Sequence, residues 1–268
     1  MFRRSGIRRS MKDSAAWMGV LLMGVSFVWL VSMPRQPGEP ASAQSSGKRA
    51  SFGTVVLDPG HGGQDSGAMC GTVLEKDLTL DVAQRVGRLL QAEGLPTLMT
   101  RYDDTFVSLA DRARFTNRVR DSVLISIHFN EGERPLASGV ETYYADHQAI
   151  SAPSVIAWIP FFSGPATTEA PNVESQSLAG FIQEALVART GAVDRGAKPR
   201  QFFVITNVTR PAVLVEGGFL SNKEDIAKLG NSDYREQLAA AITEGALRYR
   251  DLLQQRRTTL AVTAPPPH

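Results

Sequence analysis

The sequence predicts a single α/β domain built on a mostly parallel, twisted sheet of about six strands with helices on both faces. Three observations carry that expectation. VVL at 55–57, SVLISIHF at 122–129 and AVLVEGG at 212–218 are unbroken apolar runs, as in strands covered on both sides, rather than alternating ones. Between them lie stretches whose apolar residues recur at helical spacing. Each run then gives way to glycine, proline, aspartate or asparagine, residues that turn a chain out of a strand.

The elements follow in order. After VVL comes a helix through Leu78, Val82, Val86, Leu89 and Leu90, closed by Gly94, and then a second strand, LPTLMT. Ser108 caps a helix running through Ala113, Phe115 and Val119, ahead of the SVLISIHF strand. SGVETYYA reads as the fourth strand, residues 178–190 as a helix ended by Gly191, and QFFVI and AVLVEGG as two more strands. Asn222 caps a short helix, and Ser232 begins another through Tyr234, Leu238, Ile242 and Tyr249. The main folded domain thus spans 51–254, and 255–268, ending APPPH, is expected to be a disordered tail. Residues 151–174 break the alternation with an apolar, proline-punctuated insertion carrying Trp158, Phe161 and Phe162 beside Glu169 and Glu174. Its length exceeds that of an ordinary connection and suits a lid, a binding loop or local disorder.

Residues 1–43 read as a leader. MFRRSGIRRSMK is basic, the nineteen residues 15–33 carry no charge, and Ala41-Ser42-Ala43 has the small-residue form of a cleavage site. The apolar stretch approaches the ~20 residues that span a bilayer. Two outcomes are therefore expected: cleavage near Ala43 to a soluble protein, or anchoring to the membrane by 15–33. Both place the remainder in the periplasm or on the extracytoplasmic face. Arg8-Arg9-Ser10 only faintly suggests twin-arginine export. Six of the 29 basic and two of the 27 acidic residues fall in this leader, so the rest is near neutral and shows no basic block for nucleic acid. The single cysteine, Cys70, excludes an internal disulfide framework.

In open α/β sheets chemistry gathers at the carboxyl ends of the strands. His61, in DPGHGG, stands just past the first strand, and His128, in SIHFN, near the end of the third, so both fall on one edge. Two neutral imidazoles and a carboxylate would make a zinc site with its fourth position open to water. Glu75, in LEKDL, enters the first helix where its carboxylate returns to that edge, and Glu216, in VLVEGGF, is placed as a general base. The bare GHGG backbone leaves room for a bulky ligand. Taken singly, each residue has a plainer role: a satisfied polar histidine, an acid favoured by a helix dipole, a cap. A phosphate cradle is the weakest alternative, because GHGGQDSG holds no lysine. Cys70 as a nucleophile would need an activating base within reach. Residue types alone leave the metal reading open.

VVLDPGHGGQDSGA, LEKDLTLDVAQRV, TRYDDTFVSLADRARFTN, LISIHFN, SGVETYY, DRGAKPRQFFVI and PAVLVEGGFLSN, in that order, resemble the zinc-dependent N-acetylmuramoyl-L-alanine amidases of the amidase-3 type. The resemblance implies one zinc ion per chain on His61, Glu75 and His128, with Glu216 as the catalytic carboxylate. Asn130, Arg112 and Glu141 also match motif positions, which implies groups that support the ligands or position substrate. The implied reaction is hydrolysis of the amide between N-acetylmuramic acid and L-alanine of peptidoglycan, in wall remodelling or daughter-cell separation. The alternative on the same residues is another zinc hydrolase of wall fragments, a peptidase or deacetylase. By the same resemblance an activator protein is expected to act on 151–174, within which 156–162 forms either a lid or docking surface or a hydrophobic flap packed permanently on the domain.

Overall fold

The computed structural model describes residues 52–132, 136–150, 166–167 and 172–263. The leader, most of the 151–174 insertion and the last five residues lie outside these. Among the described residues no helix is long and apolar enough to cross a membrane.

The chain runs β1 (Thr54–Pro59), β2 (Met69–Cys70), β3 (Val73–Leu74), α1 (Glu75–Ala92), β4 (Thr97–Met99), α2 (Leu109–Arg118), β5 (Ser122–Asn130) and β6 (Val140–Tyr144). It continues through β7 (Ala149–Ile150), β8 (Ala166–Thr167), α3 (Val173–Thr190), β9 (Asp194–Pro199), α4 (Phe203–Thr206), β10 (Ala212–Phe219), α5 (Lys223–Leu229) and α6 (Ser232–Thr263). Six strands form the main sheet in the order β4-β1-β5-β10-β6-β9. The first four in that order are mutually parallel; β6 runs antiparallel to β10, and β9 follows β6. The mostly parallel α/β sheet read from the sequence is therefore the architecture found, with two reversed strands on one side.

The two faces of the sheet differ. On β5, Val123, Ile125 and Ile127 point into the larger core, packed by α1, α3 and α6. Leu124 belongs to the opposite face, in a smaller core with Val56, Tyr143, Leu214 and Ile205, where the cover is the short α2 and α4. Strand side chains alternate, so Ser126 and His128 share that second face with Leu124, and Glu216 shares it with Leu214. The thinner layer leaves this face open towards the carboxyl end of β5, and the polar residues collect there.

Several local readings match the caps. Ser108 accepts from the Asp111 amide at the start of α2, and Asn222 accepts from Glu224 and Asp225 at the start of α5. Gly191 closes α3 in the left-handed region. Two readings are corrected. QFFVI is not a strand: Phe203–Thr206 is a single helical turn, and the sixth strand is the preceding DRGAKP. An edge strand needs no continuous apolar run, because one of its sides pairs with nothing, and Pro199 sits harmlessly at its end. Aromatic and β-branched residues in QFFVI mimic a strand, yet Val204 and Ile205 reach the small core just as well from a turn. Residues 255–263, read as part of a tail, are instead helical, as the end of α6.

Gln183 of α3 ties the reversed strands together from the large-core side. Its amide accepts from Thr142 Oγ1 at 3.0 Å and donates to the Val140 carbonyl at 3.0 Å and to Asp194 Oδ1 at 2.6 Å. Gln183→Leu strands a buried hydroxyl and a buried carbonyl. It is expected to cost about 1–3 kcal/mol, seen as a lower urea midpoint at unchanged m-value.

Candidate active site

Each functional side chain is delivered by a different element. β1 ends in Asp58-Pro59 and releases a tight loop in which His61, Gly62 and Gly63 all have positive φ, 59° for the histidine. A left-handed backbone costs a non-glycine residue about 1–2 kcal/mol, so something must hold His61 there. Arg112 of α2 does so, donating from Nη2 to the His61 carbonyl at 2.6 Å and from Nη1 to Asp58 Oδ1 at 2.7 Å and the Pro59 carbonyl. Arg101, equally buried, donates to the carbonyls of Pro59, Gly60, Lys76 and Asp103 and to Thr79 Oγ1, stitching the end of β1 to the start of α1. Asp58 also accepts from Thr100 and Ser126 hydroxyls. Arg112 is thus a positioning residue for the histidine loop.

The glycines of GHGG serve the fold itself. A Cβ on Gly60 would stand 2.3 Å from Cε1 of His128, and one on Gly62 2.3 Å from the Thr105 carbonyl. The room expected there for a bulky ligand is filled by the second histidine and by the 103–106 loop.

Glu75 opens α1 and is the point of convergence. Its Oε1 lies 3.0 Å from His61 Nε2 and 3.0 Å from His128 Nδ1, and accepts from the Phe129 amide at 3.0 Å; Oε2 accepts from the Ala68 amide at 2.8 Å. One ligand atom from each of His61, Glu75 and His128 lies within 4.8 Å of the others. Burial works against the Glu75 charge, but the hydrogen bonds and charges of the two histidines outweigh it and hold the carboxyl well below the usual range. Burial likewise opposes the His61 cation, and Glu75 and then Asp65 overcome it, so the pKa of His61 rises. Asp65 Oδ1 is 2.9 Å from His61 Nδ1 but outside hydrogen-bond geometry, so the contact is ionic rather than aligned. Two imidazoles drawn to one ionised carboxylate suit a divalent cation, whose charge would take the place of the imidazole protons. The donor set is the N,N,O set that zinc accepts.

Glu216 stands beside this group. In the ladder it pairs with His128 of β5 on one side and Glu141 of β6 on the other. It is 8 % exposed, and its Oε2 has no hydrogen-bond partner among the described residues. Burial, then the charges of Glu75 and Glu141, push its pKa well above the ordinary value. The register shifts between Glu216 and Phe219. Asp225 Oδ2 holds that irregularity by accepting from the Phe219 and Gly139 amides. Glu141 is itself clamped: Asn130 Nδ2 donates to Oε1 at 2.6 Å, while Lys198 Nζ at 2.7 Å and Arg195 Nε at 3.2 Å share Oε2. Burial opposes its charge, but Lys198, Tyr143 and Arg195 more than compensate, leaving its pKa lowered.

The structure thus gathers His61, Glu75 and His128, sets Glu216 and Glu141 next to them in one cross-strand row, and joins Asn130 to that row through Glu141. Arg112 lies behind the loop. Sequence reasoning assigned nothing to Asp58, Asp65, Arg101, Arg195, Lys198 and Asp225. All of these but Asp225 lie within quoted motif segments, which was the available signal; single charges in loops and edge strands otherwise look like solvated surface. A small cavity lined by Phe52, Ser122, Pro211 and Tyr249 lies at the amino ends of β5 and β10, away from this row.

The fold is that of an α/β protein with an open, mostly parallel sheet, and at one edge it carries a His–Glu–His group that could hold a metal ion, with a buried carboxylate beside it. The chain belongs to the Amidase_3 family, N-acetylmuramoyl-L-alanine amidase, whose profile matches residues 55–248. It is 37 % identical over 196 residues to the N-acetylmuramoyl-L-alanine amidase LytC of Bacillus subtilis, covering 73 % of this chain and 35 % of LytC. It therefore spans about a third of that relative's length. The germination-specific N-acetylmuramoyl-L-alanine amidase of the same organism is 31 % identical over 257 residues, covering 89 % of this chain and 96 % of that protein. Among solved structures, an N-acetylmuramoyl-L-alanine amidase from Clostridium difficile 630 superimposes with a TM-score of 0.64 at 33 % identity, over 75 % of this chain and 98 % of that one. The CwlD amidase from Clostridioides difficile, solved in complex with the GerS lipoprotein, does so with 0.63 at 26 % identity, over 75 % and 99 %.

The Glu216 environment has a measurable signature in metal-free protein. Below about pH 4.5 the carboxyl is protonated folded or unfolded, and contributes nothing. Above it the unfolded chain ionises while the folded one resists, so the wild type loses stability as pH rises towards the folded pKa. Glu216→Gln removes this titration. In chelator, urea denaturation should find the variant more stable than wild type at pH 7, with the gap closing below pH 4.5.

Proposed function

We propose that the chain hydrolyses the amide between N-acetylmuramic acid and L-alanine of peptidoglycan, using one zinc ion held by His61, Glu75 and His128. The observation that carries this reading is the convergence of those three ligating atoms beside a buried carboxylate without a partner. When bound, zinc supplies Lewis acidity to the scissile carbonyl and to the attacking water. Glu216 accepts the proton of that water and returns it to the departing alanine nitrogen. Its burial favours holding a proton for delivery, and a cation bound at Glu75 would offset one of the charges that oppose its ionisation, which favours accepting one. Glu75 keeps both imidazoles aimed inward, Arg112 and Arg101 hold the loop that presents His61, and Glu141 with Asn130 fixes the floor beside Glu216.

The leader supports an extracytoplasmic place of action, where peptidoglycan lies, reached either by cleavage near Ala43 or by anchoring through 15–33. Digestion of purified sacculi tests the reaction. Stem peptides bearing a free L-alanine amine should be released, chelator should stop the release, and added zinc should restore it. Free glucosamine or shortened peptides would indicate the deacetylase or peptidase instead. Glu216→Ala should keep its zinc by elemental analysis while kcat falls about 10²–10⁴-fold, the contribution of a general base.

We further propose that an activator protein acts on the 151–174 insertion. A relative solved together with a lipoprotein supports the idea that this fold engages such partners. Removing residues 151–171 should raise basal hydrolysis; unchanged hydrolysis would discard autoinhibition.

A further inference from the structure

Four adjacent strands carry a polar row on one face of the sheet. From β5 to β9 it reads His128, Glu216, Glu141, then the pair Arg195 and Lys198. The amidase reading accounts for the first two, and Glu141 serves as the floor. The two cations exceed what Glu141 needs. One buried carboxylate meets two positive charges on the same oxygen, which leaves the cluster with a surplus of one. Both heads reach solvent, at 33 % exposure for the Arg195 side chain and 41 % for Lys198. Arg195 gives only Nε to Glu141, and its guanidinium lies 4.9 Å over the Phe219 ring, which fixes its plane at the carboxyl end of β10. Its two terminal nitrogens have no partner among the described residues.

We propose that Arg195 and Lys198 form a carboxylate subsite for the stem peptide, binding the free α-carboxylate of its second residue, the γ-linked D-glutamate. The inference rests on the amidase reading. Glu216 protonates the departing nitrogen, so L-alanine sits over β10 and the peptide beyond it runs away from the metal ligands, towards β6 and β9. In that stem the first free carboxylate hangs on the second residue past the scissile bond. Two extended residues span about 7 Å. The cation heads, drawn back over β6 by Glu141, stand between one and two strand spacings from β10, about 5–10 Å. The free edge of a guanidinium accepts a carboxylate in a two-point fork, and Lys198 adds a point charge beside it. Glu141 then acts as the strut that holds both cations in place.

The test compares two soluble substrates with the zinc-loaded full chain: N-acetylmuramoyl-L-alanyl-γ-D-glutamyl-L-lysinamide, whose one free carboxylate is the α-carboxylate of the D-glutamate, and the same compound with that group as its α-carboxamide. Wild type is expected to prefer the acid by about tenfold in kcat/KM, mostly through KM, and the preference should shrink at high salt. Arg195→Gln and Lys198→Gln should bring the ratio of the two substrates towards one. Comparing substrates within one variant cancels any general loss of fold or zinc. Equal use of the two substrates by wild type overturns the subsite, as does a ratio that survives both substitutions. That wild-type comparison decides the matter even where a variant fails to fold. Cleavage of neither substrate, under conditions where sacculi are also untouched, would instead refute the amidase reading.

Discussion

One carboxylate organises this protein. Glu75 binds the amide of Ala68 in its own approach loop and the amide of Phe129 on β5, and faces the imidazole of His61 from the loop after β1 and that of His128 from β5. Taking an ionised carboxyl out of water is costly unless every lone pair is used. Here both oxygens are engaged, Oε1 by the Phe129 amide and two imidazoles and Oε2 by the Ala68 amide, from the loop after β1 and from β5. The packing that buries Glu75 is therefore the packing that makes the metal group. Losing any of these contacts leaves a buried charge uncompensated, which is more damaging than the contact itself is stabilising.

A second set of buried charges supports the first. Asp58, Arg112 and Arg101 contribute no donor to the metal group, yet they determine where His61 can stand. The strain of a left-handed histidine persists because guanidinium donors capture the carbonyls of Pro59, Gly60 and His61 together. Arginine suits this role: its fixed fork reaches several acceptors at once and stays charged when buried.

The sheet supplies the remaining logic. Parallel pairing aligns Glu216 with His128, and the reversal at β6 brings Glu141 opposite Glu216. Three carboxylates near one another would repel, and the structure answers each differently. Glu75 is matched by imidazoles, Glu141 by Lys198 and Arg195, and Glu216 is left unmatched. That asymmetry separates their proton affinities and leaves Glu216 as the carboxyl suited to the proton transfer proposed for it.

Much of this was legible in the sequence. Unbroken apolar runs and helical spacing revealed the α/β sheet because burial on both faces forces such patterns. Histidines and acids placed just past predicted strands pointed to one edge, and spacing within LEKDL placed Glu75 at a helix start. Where local pattern and tertiary demand diverged, the sequence misled: QFFVI has strand chemistry but turns, and DRGAKP has loop chemistry but pairs at an edge. Only the folded chain revealed that the glycines of GHGG make room for His128, that Arg112 and Arg101 hold a loop, and that Arg195 and Lys198 share Glu141. These contacts join residues from 41 positions apart (Arg101 and Gly60) to 68 (Gly60 and His128), and a one-dimensional pattern records what each residue prefers, not which distant partner satisfies it.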